Sequence, residues 1–267
     1  MDAERDPDEI TLDAEEAPVR RPALPGAVVA RRLPEDVLDA LASDLVNHAA
    51  NCVREFGDFH LALSGGRTPQ PLYALLMYDP RYRAFPWRRT HLWMVDERCV
   101  PVDDPLSNFP SVRETIVDHS DIPPEQVHPI VAWEPGAAAR YERELREALG
   151  WRERGHDRLD CVLLGVGADG HTASIFPGSP ALHDGERLAM DVAAPVTGRP
   201  AVPRCTLTMR TINAARFVAP LVLGADKRQA IARVAAGASP EEMPAAALRP
   251  AAGELRWYVD AAACGQG

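Results

Sequence analysis

The chain has 267 residues, 46% of them hydrophobic and 25% charged, with a formal net charge of −10, enough chain to bury a substantial core. A phosphate backbone or an anionic membrane is held by a basic face that releases counterions, so this balance argues against nucleic acid and membrane partners. No apolar run reaches the ~18 residues of a membrane helix, and the start, MDAERDPDEITLDAEEA, is acidic where a signal peptide is basic and then apolar; a soluble, cytoplasmic protein is expected.

Along the chain, the charge comes first. The first 17 residues carry eight carboxylates against Arg5, which places −7 of the −10 there. Residues 1–21 therefore read as an acidic tail too charged to fold by itself, and residues 22–267 as a single domain close to neutral. Residues 27–30 (AVVA) read as a short buried strand. From Pro34 to Phe56 the apolar positions recur at three and four, with proline and two acids at the start and Gly57 at the end, the pattern of an amphipathic helix.

A repeating arrangement follows. Apolar runs at 59–63 (FHLAL), 91–95 (HLWMV), 161–164 (CVLL) and 217–223 (FVAPLVL) each lead into polar or glycine-rich residues. Helical patterns at 69–77, 107–116, 136–149 and 226–234 separate or follow them, and smaller strands are expected at 206–209 and 255–259. Pro220 sits awkwardly in its strand. Strands alternating with helices predict a parallel sheet covered on both faces. In such a sheet, ligands bind just beyond the carboxyl ends of the strands.

Four segments stand at such ends. Ser64-Gly65-Gly66-Arg67-Thr68-Pro69 suits either a phosphate cradle, with Thr68 capping a helix that Pro69 begins, or a tight strand-to-helix turn without a ligand. Asp96-Glu97-Arg98, with Ser107 and Asn108 after it, reads as a surface salt bridge or as an arginine clamp on an oxyanion. Gly165 to Ser174 contains G-x-G-x-x-G, but Pro177-Gly178 stops any helix there within two turns, too short for a dinucleotide fold. In that loop His171 follows Asp169 by two residues, either an incidental imidazole or one placed to take a proton from water. Lys227 is the sole lysine beside 28 arginines, and it opens a helix after the fourth strand, as an exposed helical residue or as a second anion contact. Cys52, Cys99, Cys161, Cys205 and Cys264 are too scattered for a disulfide framework or a structural zinc site, and no metal motif or serine elbow is present. Metal-free acid/base chemistry without a cofactor, on a small phosphorylated substrate, is the expectation.

Together LSGGRTP, DERCVP with the trailing SN, LLGVGADGHTASIFPGSP, RCTLTMRTIN, GADK and RWYVDAAA, in this order over about residues 22–263, resemble the 6-phosphogluconolactonases. The resemblance implies an α/β fold, a modified Rossmann-like α/β/α sandwich with a mostly parallel sheet. It implies hydrolysis of 6-phospho-D-glucono-1,5-lactone in the oxidative pentose phosphate pathway. It implies His171 as the base that activates water, with Asp169 orienting the imidazole or the sugar. Arg98 and Lys227 are implied to hold the phosphate, with Ser64, Gly65, Gly66 and Thr68 as the loop beside it. Arg67 stands where the family often has a smaller polar residue and is given no role. The partner implied is a phosphorylated sugar lactone, and a monomer is expected.

Three other readings compete. Glucosamine-6-phosphate deaminases/isomerases share the glycine turn and the DGH loop, but there a phenylalanine-asparagine-glutamate stretch follows where this chain has Thr172-Ala173-Ser174. A non-catalytic sugar-phosphate sensor on the same scaffold would not need His171. A dinucleotide-dependent oxidoreductase rests on the glycine match alone.

Overall fold

Strand β1 (Ala27–Arg31) leads into helix α1 (Pro34–Phe56), which begins on proline with Glu35 and Asp36 in its first turn and ends on Gly57 at φ 89°, whose N–H returns to the Val53 carbonyl. Both ends follow from the sequence, since acids suit the positive end of the helix dipole and glycine the left-handed cap. The chain continues through β2 (Phe59–Leu63), α2 (Gln70–Tyr78), β3 (Thr90–Met94), β4 (Asp96–Arg98), α3 (Phe109–Thr115), β5 (Val127–His128), α4 (Ala137–Leu149) and β6 (Cys161–Gly165). It closes through β7 (Ala189–Val192), β8 (Arg204–Leu207), α5 (Met209–Ala214), β9 (Phe217–Val222), α6 (Arg228–Ala235) and β10 (Glu254–Asp260). This computed structural model describes residues 18–196 and 200–266, so residues 1–17 of the expected acidic tail lie outside the described residues.

Seven strands form one sheet in the order β1-β10-β9-β6-β2-β3-β5, every neighbouring pair parallel. All five residues of β2 are buried, as expected of a central parallel strand covered on both faces. From β2 the chain moves outward to β3 and β5, then returns to lay β6 on the other side of β2 and moves away again through β9 to β10. That reversal between β2 and β6 is a topological switch point, and the crevice beyond the carboxyl ends of those strands is where such sheets bind ligands.

The structure corrects the sequence expectations in several places. Asp96–Arg98 is not a loop but β4, which pairs antiparallel with β8; β8 pairs with β7, giving a second, three-stranded sheet. Val95 joins the two sheets, its N–H donating to the Leu63 carbonyl (2.9 Å) and its carbonyl accepting from Leu207 N–H (2.8 Å). Residues 171–176 form no helix; they are a loop pinned by bridges Val166–Thr172 and Thr172–Ile175. The strand expected at 206–209 ends at Leu207, and Thr208 caps α5 by accepting from Thr211 N–H. Pro220 does belong to β9: its partner on the β6 side is Leu164, while the β10 pairing skips Ala219 and Pro220 and resumes at Leu221. A proline lacks the N–H that the pairing would use there.

At the amino ends of the central strands lies a buried polar network. Asp160 is fully buried, accepts His60 N–H (2.7 Å), and pairs with Arg152 (2.8 Å) and Arg216 (2.9 Å). Arg152 also pairs with Asp58, which accepts a hydrogen bond from His60. Burial alone would raise the Asp58 carboxyl, but the hydrogen bonds from His60 and Arg152 outweigh it and hold the group below its ordinary range. A depressed folded-state pKa contributes stability that is present above the unfolded value and lost as pH falls through the folded one. Asp58→Asn is therefore expected to lower stability at pH 7 by about 1–3 kcal/mol. The difference from the unsubstituted chain should shrink below about pH 4, where unfolded aspartate protonates. Urea midpoints across that range measure it; a difference independent of pH would contradict the assignment.

Candidate active site

The carboxyl ends of β2, β6 and β9, together with β4, surround one cleft of about 210 Å³ lined by Ser64 to Pro69, Asp96, Arg98, Asn108, Gly165 to Gly167, His171, Ala173, Leu221 and Lys227. Of the residues expected at the site, Ser64, Gly65, Gly66, Thr68, Arg98, His171 and Lys227 line it directly. Asp169 stands behind His171. Sequence reasoning named the segments but passed over Asp96 and the neighbours that hold the cationic side chains in place.

The imidazole is fixed by its own loop. His171 Nδ1 lies 2.5 Å from Asp169 Oδ1, and the same oxygen accepts His171 N–H at 3.2 Å. A carboxylate only accepts, so Nδ1 carries a proton, and in the neutral imidazole Nε2 is the nitrogen left with a lone pair. Burial works to raise the Asp169 carboxyl, yet the hydrogen bond and charge of His171 prevail and hold it low, so it is ionised at neutral pH. Gly167 accommodates the ring: a Cβ there would stand 2.1 Å from His171 Nδ1. Phe176 packs against the imidazole with centroids 4.7 Å apart. Ala173, two residues on, has φ 48°, a conformation a non-glycine residue adopts under local constraint, and here the bridges on either side supply the constraint.

The glycine turn is held differently from expectation. Thr68 does not cap α2: the helix starts at Gln70 after Pro69, with no side-chain cap. Ser64 donates its hydroxyl to the Leu163 carbonyl (2.9 Å) and accepts from Gly165 N–H (3.3 Å), tying β2 to β6 instead of offering that group to a ligand. Tyr73 donates to the Ser64 carbonyl at 2.6 Å and so anchors the turn to α2. Gly66 is left-handed at φ 87°, and Gly65 leaves room for the Asn108 side chain, whose Oδ1 would stand 2.1 Å from a Cβ.

Asn108 is placed by Glu97. That carboxylate is 1% exposed and accepts Arg98 N–H (2.7 Å), Asn108 N–H (2.7 Å), Phe109 N–H (2.9 Å) and the Ser107 hydroxyl (3.0 Å). It thereby closes the amino end of α3, although burial still pushes its carboxyl above the ordinary range. Asp96 accepts the Ser174 hydroxyl at 2.5 Å, which joins β4 to the His171 loop. Arg98 gives one Nη1–H to the Leu106 carbonyl (2.7 Å), and its Nε has no acceptor among the described residues. Lys227 lies in the turn before α6, 3.1 Å from Asp226, and that turn is held by Asp260, which accepts Gly224 N–H at 2.9 Å. The one cleft thus brings together two cationic side chains and an imidazole.

Two other features lie outside this cleft. A larger one, about 610 Å³, is lined by Leu145, Leu149, Leu159, Arg158 and Arg210 among others, but it holds no histidine, thiol or paired carboxylates; size is a poorer guide to chemistry than the groups present. Asp58, His60 and His91 bring possible metal-binding atoms within 4.8 Å of one another. There Trp93 Nε1–H donates to His60 Nδ1 at 3.1 Å, so His60 Nε2 carries the proton it gives Asp58 and has no lone pair for a metal. Burial, with His60 and His128 beside it, pushes His91 down to about 4.

The chain as a whole is similar to proteins of one family. A family model described as glucosamine-6-phosphate isomerases/6-phosphogluconolactonase matches residues 32–257. The human GDH/6PGL endoplasmic bifunctional protein is 40% identical over 237 residues, 85% of this chain; the chain spans 28% of that protein's length. A 6-phosphogluconolactonase of Synechocystis is 42% identical over 213 residues, covering 78% of this chain and 84% of that one. The crystal structure of a 6-phosphogluconolactonase from Thermotoga maritima superposes with a TM-score of 0.74 at 30% identity, covering 88% of this chain and 99% of that one. Among the described residues no helix is long and apolar enough to cross a membrane.

Proposed function

The chain belongs to the glucosamine-6-phosphate isomerase/6-phosphogluconolactonase family, and from that premise we propose that it hydrolyses 6-phospho-D-glucono-1,5-lactone to 6-phosphogluconate in the oxidative pentose phosphate pathway. The observation that carries the reading is His171, whose Nδ1 is held by Asp169, in a cleft that also contains Arg98 and Lys227.

The chemistry follows from those groups. His171 Nε2 takes a proton from a water molecule as its oxygen attacks the lactone carbonyl carbon. Asp169, ionised, steadies the imidazolium that forms. When the tetrahedral adduct collapses, the bond from the carbonyl carbon to the ring oxygen breaks and the ring oxygen takes the proton back from His171. Water is consumed, the ring opens, and the imidazole is restored. General-base help of this kind contributes typically about 10² to 10⁴-fold. Arg98 and Lys227 hold the phosphate through charge-assisted hydrogen bonds, which discriminate against the unphosphorylated lactone. Asp96 keeps a carboxylate at the cleft wall to accept a sugar hydroxyl.

A deaminase/isomerase activity on the same fold needs further acid/base groups after His171; Thr172, Ala173 and Ser174 supply none, and the Ser174 hydroxyl is committed to Asp96. The protein is expected to open the phosphorylated lactone well above its spontaneous rate, equally in the presence of a chelator. Opening at the spontaneous rate, or release of ammonia from glucosamine 6-phosphate in its place, would overturn the reading.

A further inference from the structure

Arg67 occupies the glycine turn that the site uses and has no part in the mechanism above. It is exposed, lines the same cleft as Arg98 and Lys227, and follows the left-handed Gly66 immediately before α2. Its surroundings set it apart from the other two cations. Arg98 is tied to the Leu106 carbonyl, and Lys227 is paired with Asp226 at 3.1 Å. Among the described residues the Arg67 guanidinium has neither a carboxylate within ion-pairing distance nor a hydrogen-bond acceptor, although its backbone is fixed, its carbonyl accepting Gln70 N–H at 3.3 Å. The turn is rigid and the side chain is free.

A sugar phosphate is close to a dianion at neutral pH. Lys227 meets it already paired with Asp226, and Arg98 meets it with part of its fork committed. An uncommitted guanidinium at the same rim offers two parallel N–H groups to one phosphate, a geometry that lysine does not provide. Resting on the lactonase reading, we propose that Arg67 is a specificity-determining residue that folds onto the substrate's phosphate as a third cation and selects phosphorylated lactones over unphosphorylated ones. Because the contact is made to a group remote from the reacting carbonyl, it is realised equally in the ground and transition states. It therefore acts on KM and leaves kcat in place.

The test pairs binding with kinetics. Inorganic phosphate, titrated calorimetrically into the full chain, is expected to bind about tenfold or more weakly to Arg67→Ala. Arg67→Lys should recover part of the loss, and Arg88→Ala, an exposed arginine elsewhere, should bind as the unsubstituted chain does. In turnover, Arg67→Ala should raise KM for the phosphorylated lactone by a similar factor with kcat retained, and lower the preference for phosphorylated over unphosphorylated lactone to match. Phosphate affinity within twofold of the unsubstituted chain, while Lys227→Ala weakens it, overturns the proposal; so does a fall in kcat at unchanged KM. The two readings fail separately. A chain that binds phosphate through Arg67 yet leaves the lactone at its spontaneous rate refutes the lactonase and the selection of lactones with it, and keeps only the arginine's phosphate contact.

Discussion

Replacing His171 by alanine is expected to lower kcat for lactone opening by about 10² to 10⁴-fold while KM changes little. The reason is geometric. In the proposed mechanism the imidazole meets the water and not the phosphate, so its loss removes an interaction made only on the way to the transition state. Asp169→Asn should lower kcat as well, because an amide can donate to Nδ1 and favour the tautomer whose Nε2 already carries a proton. Steady-state kinetics with spontaneous hydrolysis subtracted measure both. The same loop makes the test clean: Thr172 Oγ1 donates to the Gly165 carbonyl at 2.9 Å, and Gly167 N–H donates to the His171 carbonyl, also at 2.9 Å, neither using the imidazole. A kcat for His171→Ala within a few fold of the unsubstituted chain would remove the histidine from the mechanism.

The largest stability effect is expected at Asp160. Its side chain is fully buried and compensates Arg152, 1% exposed, and Arg216, 12% exposed. Removing one partner of a buried pair leaves a charge without compensation, which costs about 3–5 kcal/mol. Asp160→Ala should lose about that much in urea unfolding. Its kcat/KM, measured where the variant is folded, should remain close to that of the unsubstituted chain. Asp160 precedes β6 and the cleft follows it, so a strand of about 16 Å separates the two. A loss below about 1 kcal/mol would show that water or a neighbouring carboxylate already screens the arginines.

How much of this could be read from the sequence depends on the range of the interaction that decides each element. The strands at 59–63 and 161–165 and the helix at 34–56 are legible because their apolar spacing and end signals are local. Asp96–Arg98 is not. Three charged residues become a strand only because β8, more than a hundred residues later, offers antiparallel partners, and no periodicity of β4 announces that. The loop after β6 is legible only in part: Pro177-Gly178 limits any helix there to two turns, but the irregular turn is held by bridges from Val166 and Ile175 to Thr172, contacts the local pattern does not show. At the site, residue types at strand ends pointed to His171, Asp169, Arg98 and Lys227, since strand order converts four distant segments into one edge. The supporting roles of Glu97, Tyr73 and Ser174 depend on contacts between elements, and so does the finding that the Ser64 hydroxyl is already committed.

Gly65 and Gly167 bear on how such chains drift and are engineered. Neither has a left-handed backbone, so neither is required for flexibility; each is there because Asn108 or His171 occupies the space its side chain would fill. An alanine at either position is compatible with the backbone dihedrals and still collides with a residue of the cleft. A chain can therefore lose this site while keeping its helices, its sheets and its solubility. In a screen for folding the damage would register as no more than an overpacking cost of about 1–3 kcal/mol, whereas an assay of turnover would find it.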